Sequence, residues 1–155
     1  GMYTAELFAG DAGAPSPPRR DVHMGIDLGA PAGTPVFAFD DGEIFLFGDN
    51  AAQGDYGPTV VTKHVLEGKS LYVLHGHLAR RSLEGKHVGH RFAKGTVLGW
   101  IGEKHENGGW NPHVHVQLSW VAPSVPDMPG VVTDADRAKA RETYPDPRLV
   151  LGPLY

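Results

Sequence analysis

The sequence predicts an all-β domain, an antiparallel β-sheet or sandwich, with one short C-terminal helix. Two observations predict it. Between residues 22 and 121 the apolar residues fall in short β-branched or aromatic runs separated by turn signals, with no amphipathic helical repeat among them. The 155 residues also include 21 glycines and 13 prolines, which suit tight turns and interrupt long helices.

Residues 1–21 hold a Pro/Gly/Ala-rich lead-in with no periodicity and are expected to form an extended arm. The strand-like runs follow: Pro35–Phe39, Glu43–Phe47, Thr59–Val65, Ser70–Leu74, Val97–Ile101 and Val114–Leu118. Asp40-Asp41-Gly42, Glu67-Gly68-Lys69 and Asn107-Gly108-Gly109 separate them at hairpin-like spacing. Residues 22–121 are therefore expected to make one β domain and residues 122–155 a C-terminal extension. In that extension Pro123, Pro126 and Pro129 mark a loop. Thr133 to Glu142 reads as a short charged helix, with Thr133 as N-cap and acids in its first turn, ended by Pro145 and Pro147.

Composition excludes several classes. The net charge is −4 and no basic block is present, which argues against a nucleic-acid or anionic-membrane partner. No apolar stretch is long enough for a membrane span. With no cysteine, disulfides and thiolate metal sites are ruled out. The first residues, Gly1 to Phe8, carry neither a basic stretch nor an apolar core. They predict a cytoplasmic protein, or a periplasmic or extracellular one if a leader has been removed.

Nine histidines stand out. In His23-Met24-Gly25-Ile26-Asp27 an imidazole and a carboxylate lie four residues apart, and Gly25 permits the bend that lets both reach one cation. In Pro112-His113-Val114-His115-Val116-Gln117-Leu118, strand alternation puts His113, His115 and Gln117 on one face and the aliphatic residues on the other. The same alternation predicts that His75 and His77 share a face. By spacing alone each pair is open to ligand or catalytic roles. His64, His87, His90 and His105 stand singly, with surface or supporting roles expected, and Trp100, Trp110 and Trp120 are expected in the core or a groove wall. Imidazole with carboxylate suits zinc, and also non-haem iron.

The run His23-Met24-Gly25-Ile26-Asp27 through Gly33-Thr34-Pro35-Val36, with the Asp41-Gly42 turn, resembles the opening motif of the lysostaphin/LytM-type zinc metallopeptidases. His77-Leu78 resembles their mid-chain His-Leu motif, with His75 where a Tyr is usual. Pro112-His113-Val114-His115 resembles their terminal Pro-His-Leu-His. This resemblance spans about residues 20–120. It implies an antiparallel sheet with a metal-binding groove, zinc held by His23, Asp27 and His115, and His77 and His113 as catalytic imidazoles. It also implies a peptide or peptidoglycan substrate, cut at glycine or small residues. The tail from Pro126 onward resembles, more faintly, the linker after a peptidase-like module in intracellular phosphotransferase–peptidase–aminotransferase chains, so a larger parent chain is a second expectation. The expected activity is that of a zinc endopeptidase. The alternatives are a non-catalytic module of the same fold that binds a peptide or partner, and an iron-dependent oxygenase.

Overall fold

The computed structural model describes residues 22–129, 131–132, 140 and 142–151, the side chains of residues 22, 23, 131, 132 and 151 excepted. The expected N-terminal arm lies outside the described residues. So does most of the expected helix at 133–142; Ala140 and Glu142 are described and are helical.

Strands β1 (Val22–His23), β2 (Ile26–Gly29), β3 (Pro35–Phe37), β4 (Gly42–Asn50), β5 (Gly57–Leu66) and β6 (Lys69–Gly76) come first. A 3₁₀ turn at Arg80–Leu83 follows, then β7 (Arg91–Phe92), β8 (Val97–Trp100), β9 (His113–Ser119), β10 (Val131–Val132) and a one-turn helix α1 (Arg148–Leu151). Six strands form the main antiparallel sheet in the order β2-β9-β6-β5-β4-β7. Two small antiparallel pairs, β3 with β8 and β1 with β10, lie outside it.

Period-two alternation gives the main sheet two apolar faces. Ile44, Val60, Leu71, Val73, Val114, Val116 and Leu118 are buried on one, against Ala38, Leu78, Leu98 and Ile101 from in and around the β3–β8 pair and the end of β6. On the other face Val61, Tyr72 and Leu74 pack with Tyr56 and with Met128 of the C-terminal extension. Cross-strand register puts His115 opposite Gly76 and Asp27, and Gln117 opposite Leu74. The histidine face of β9 therefore lies on the second side, at the end of the sheet where β2, β9 and β6 meet.

Candidate active site

His115 occupies the middle of this corner and is fully buried. Its Nδ1 lies 3.1 Å from Asp27 Oδ1, and its Nε2 lies 2.9 Å from Gln117 Oε1. Antiparallel pairing of β2 with β9 sets Asp27 directly across from His115, so the short distance follows from register. Gly25 makes room for the ring: a Cβ there would sit 2.5 Å from both Cε1 and Nε2 of His115.

His113 shares that face two residues earlier. Its Nδ1–H donates to the Asn111 carbonyl at 2.6 Å, which leaves the lone pair on Nε2. Nε2 is buried, has no hydrogen-bond partner, and lies 3.6 Å from Asp27 Oδ1. Native structures rarely leave such an atom unsatisfied.

His77 arrives by a different route. Residue 76 ends β6, and His77 has φ 62°, a left-handed conformation uncommon for a non-glycine residue. Three backbone hydrogen bonds hold that corner: His77 N–H to Tyr56 O at 2.6 Å, Leu78 N–H to Pro58 O at 3.0 Å, and Gly102 N–H to His77 O at 3.0 Å. Its ring ends 4.4 Å from that of His113 and 6.2 Å, edge-on, from that of His115. Nδ1–H donates to the Asn107 carbonyl at 2.8 Å, so here too Nε2 keeps the lone pair. Burial lowers its pKa to about 3, against the opposing pull of the Asn107 hydrogen bond, so the ring is neutral at pH 7.

The same left-handed residue overturns the expectation that His75 and His77 share a face. His75 is opposite Val60 and Val116, on the first apolar side of the sheet, and its Nδ1–H donates to the Val60 carbonyl at 3.0 Å. Strict alternation fails where the strand ends at Gly76. Of the histidines expected at the surface or in supporting roles, His64 is not at the surface: it is buried, bonded through Nε2 to the Thr62 hydroxyl and through Nδ1–H to the Asp41 carbonyl. His105 is not isolated either. Its ligand atoms lie within 4.8 Å of those of Glu103 and Glu106 on an exposed loop, but Glu106 already uses its carboxylate to accept the backbone N–H groups of Arg80 and Glu103.

The structure thus brings Asp27, His77, His113 and His115 together. His23 lies on β1, two residues before Gly25, and its side chain is outside the described residues. Three further residues belong to the site and were given no role in it from the sequence, which placed Gln117 only on the histidine face. Tyr56 is buried against His77 and His115, and its hydroxyl donates to the Met128 carbonyl at 2.8 Å. Asn107 is fully buried: its amide donates to the carbonyls of Gly102 and Trp110 and accepts the N–H groups of Gly109 and Trp110. Gln117 completes the shell on His115. Asn107-Gly108-Gly109 reads in the sequence as an ordinary turn, and only its hydrogen bonding reveals the support it gives His77. Trp110 packs beside the site, its ring 5.8 Å from that of His77 and 6.3 Å from that of His113.

The donor set fits a metal ion. The Gln117 amide donates through Nε2 to the Pro129 carbonyl at 2.9 Å, so its Oε1 faces His115 and accepts from Nε2–H. In a neutral His115 the Nδ1 lone pair then faces a carboxylate oxygen at 3.1 Å, two acceptors pointing at each other. A cation between them removes the conflict. Two ligands about 2.0–2.1 Å from a tetrahedral zinc stand roughly 3.3 Å apart, close to that spacing.

The sequence pattern of peptidase family M23 matches residues 21–126. The chain belongs to that family. The M23 domain is 37% identical over 97 residues to DD-carboxypeptidase/endopeptidase Mpg of Neisseria meningitidis serogroup B, covering 62% of this chain and 20% of that protein. It is 35% identical over 96 residues to Mpg of Neisseria gonorrhoeae, again over 62% of this chain and 20% of the relative. The chain therefore spans about a fifth of the length of these curated relatives. Among solved structures it resembles the catalytic domain of the prophage-encoded M23 protein EnpA from Enterococcus faecalis, with a TM-score of 0.52 and 25% identity over 72% of this chain and 75% of that one. The catalytic domain of lysostaphin from Staphylococcus simulans shares the fold, with a TM-score of 0.52 and 22% identity over 77% of this chain and 80% of that one. The lysostaphin/LytM-type resemblance and the antiparallel β-fold both hold.

Proposed function

We propose that this M23 domain is a zinc-dependent endopeptidase that hydrolyses an amide bond in peptidoglycan-type peptides, at glycine or other small residues. The observation that carries the reading is the convergence of Asp27 Oδ1, His115 Nδ1 and the orphaned His113 Nε2 at one buried corner. Asp27 and His115, with His23 from β1, would hold the metal. Bound there, zinc supplies Lewis acidity, polarising an amide carbonyl and acidifying water.

The chain's own residues supply the proton chemistry. His77 and His113 each have Nδ1–H tied to a backbone carbonyl, so in both rings Nε2 is the basic nitrogen. The Nε2 lone pair of His77, held in place by the Nδ1–H bond to Asn107, would take a proton from the attacking water and return it to the departing amine. Anchoring to Asn107 and Asn111 fixes both rings before substrate arrives, so little reorganisation is left for the reaction. The relatives named as carboxypeptidase/endopeptidase support a peptide substrate. A cell-wall substrate would place the working protein outside the cytoplasm.

Elemental analysis of protein purified without chelator, beside His115→Ala, tests the metal. One zinc per chain in the wild type and none in the variant is expected. Wild type that stays metal-free after zinc is supplied would overturn the enzymatic reading in favour of a binding module. Release of new amino termini from purified peptidoglycan, abolished in His113→Ala at unchanged zinc content, tests the chemistry.

A further inference from the structure

The segment following β9 crosses the histidine side of the sheet and makes three contacts that reach the site. Met128 is buried with Tyr56, Val61, Tyr72 and Leu74, and its carbonyl accepts the Tyr56 hydroxyl. The Pro129 carbonyl accepts Gln117 Nε2 at 2.9 Å. Val131 pairs with His23 across the β1–β10 ladder. The anchoring carbonyls of Met128 and Pro129 lie just beyond residues 21–126, the stretch that matches the family pattern.

We propose that Gln117, oriented by the Pro129 carbonyl, is a positioning residue that fixes His115 as its Nε2–H tautomer and so presents the Nδ1 lone pair to the metal beside Asp27. A carbonyl only accepts, so the end of the Gln117 amide facing Pro129 must be the NH₂ group, and the end facing His115 must be the oxygen. An oxygen 2.9 Å from His115 Nε2 favours a proton there, as the Asp27 carboxylate 3.1 Å away does at Nδ1; once a cation takes the Nδ1 side, the proton left on the ring is the one that Gln117 accepts. The Tyr56 hydroxyl, 3.4 Å from the same nitrogen, spends its proton on Met128 and presents only lone pairs to the ring. These two oxygens beside Nε2 are thus set as acceptors by carbonyls of one strap, residues 128–129. Supporting groups of this kind set the ring tautomer and the basicity of a metal-binding imidazole. The role rests on the reading that Asp27 and His115 hold the metal, but the tautomer can be read without one.

The test uses the full chain, wild type, Gln117→Met and Gln117→Glu. Long-range ¹H–¹⁵N NMR of metal-free protein at about pH 8.5, above the ordinary histidine range, reports which His115 nitrogen carries the proton, and an Asp27→Ala background removes the carboxylate that competes for it at Nδ1. In that background the chains with Gln117 or Gln117→Glu, which keep the acceptor, are expected as Nε2–H, and Gln117→Met as a mixture. Zinc competition against a chromogenic chelator is expected to show roughly 10- to 100-fold weaker binding for Gln117→Met and recovery to within about threefold in Gln117→Glu. A His115 protonated on Nδ1 in the Asp27→Ala background with Gln117 in place overturns the proposal. So does a folded Gln117→Met with unchanged tautomer or wild-type zinc affinity. Wild type that binds no zinc overturns the metal reading instead, and the tautomer then decides the role of Gln117 alone.

Discussion

Gly25→Ala places a single methyl group where the site can least accommodate it. The added Cβ would lie 2.5 Å from Cε1 and Nε2 of His115 and 2.7 Å from the Val116 carbonyl oxygen. Ordinary carbon contacts need roughly 3.5–4.0 Å, so the ring or the backbone must move by about 1 Å. His115 has little freedom to do so. It is fully buried, its ring lies tilted 4.9 Å from the Tyr56 ring, and it is tethered at both nitrogens. Overpacking of this kind costs about 1–3 kcal/mol, and the lower entropy of an unfolded alanine offsets about 0.4–1 kcal/mol of it. The net loss, about 1–2 kcal/mol, corresponds to a fall in Tm of roughly 2–8 °C for a chain of this size. Because the displaced group is the expected metal ligand, zinc affinity should fall by a further 10- to 100-fold, on the order seen when the supports of a ligand are removed. Thermal unfolding of metal-free protein and chelator competition measure the two effects separately. Gly29→Ala is the control: it ends β2, the strand that starts just after Gly25, and has nothing within 4 Å of its Cβ, so zinc affinity should stay at wild type and Tm should not fall. A Gly25→Ala variant with wild-type Tm and zinc affinity within about threefold of wild type would refute the packing argument.

Three other outcomes follow from the geometry. Asn107→Ala removes two donors and two acceptors from a fully buried loop hub, which should cost about 2–4 kcal/mol in urea unfolding and lower kcat more than it raises KM, because the His77 anchor loosens with it; an unchanged kcat would argue against that anchor. His75 is buried with its pKa lowered to about 4, below the unfolded value near 6.5. The unfolded chain therefore binds the extra proton first, stability falls as pH drops from about 6.5 to about 4, and this one residue should account for up to about 3 kcal/mol of that loss. His75→Phe should flatten the acid limb of urea midpoints between about pH 7 and pH 4 while leaving zinc affinity unchanged, since the ring lies on the face away from the site; weakened zinc binding would contradict that placement. Asp27→Asn should abolish zinc retention on gel filtration yet leave the far-UV circular dichroism spectrum intact, and a variant that keeps its zinc would remove Asp27 from the ligand set.

The fold was legible because its strands are short β-branched or aromatic runs between turn signals, and in β9 the period of two is strict. Val114, Val116 and Leu118 alternate with His113, His115 and Gln117, and that pattern alone assigns one face to the core. Register followed less readily. Nothing in the text of β2 and β9 says that Asp27 stands opposite His115 rather than one residue away, and a slip of one would send the carboxylate to the wrong side. The bulge in β4 between Ile44 and Leu46 and the left-handed corner at His77 were likewise invisible, because both are set by partners far along the chain.

The histidines show where pattern reading stops and hydrogen bonding takes over. His75 and His77 are two residues apart in a run that looks like one strand, yet a single positive φ separates them onto opposite sides, one packed in the core and one beside His113. Period two describes a strand only while the strand lasts, and its end is written in the carbonyls of Tyr56 and Pro58 that receive the N–H groups of His77 and Leu78. The supporting residues are harder still to see. Asn107 sits in a turn-forming tripeptide, Tyr56 in a loop, and the carbonyls of Met128 and Pro129 have no side-chain signature at all. A backbone carbonyl can be recognised as part of a site only once the fold has aimed it. For that reason the groups proposed to face a metal or a substrate were visible as residue types, whereas the groups proposed to decide which nitrogen of each imidazole holds its proton were visible only in three dimensions.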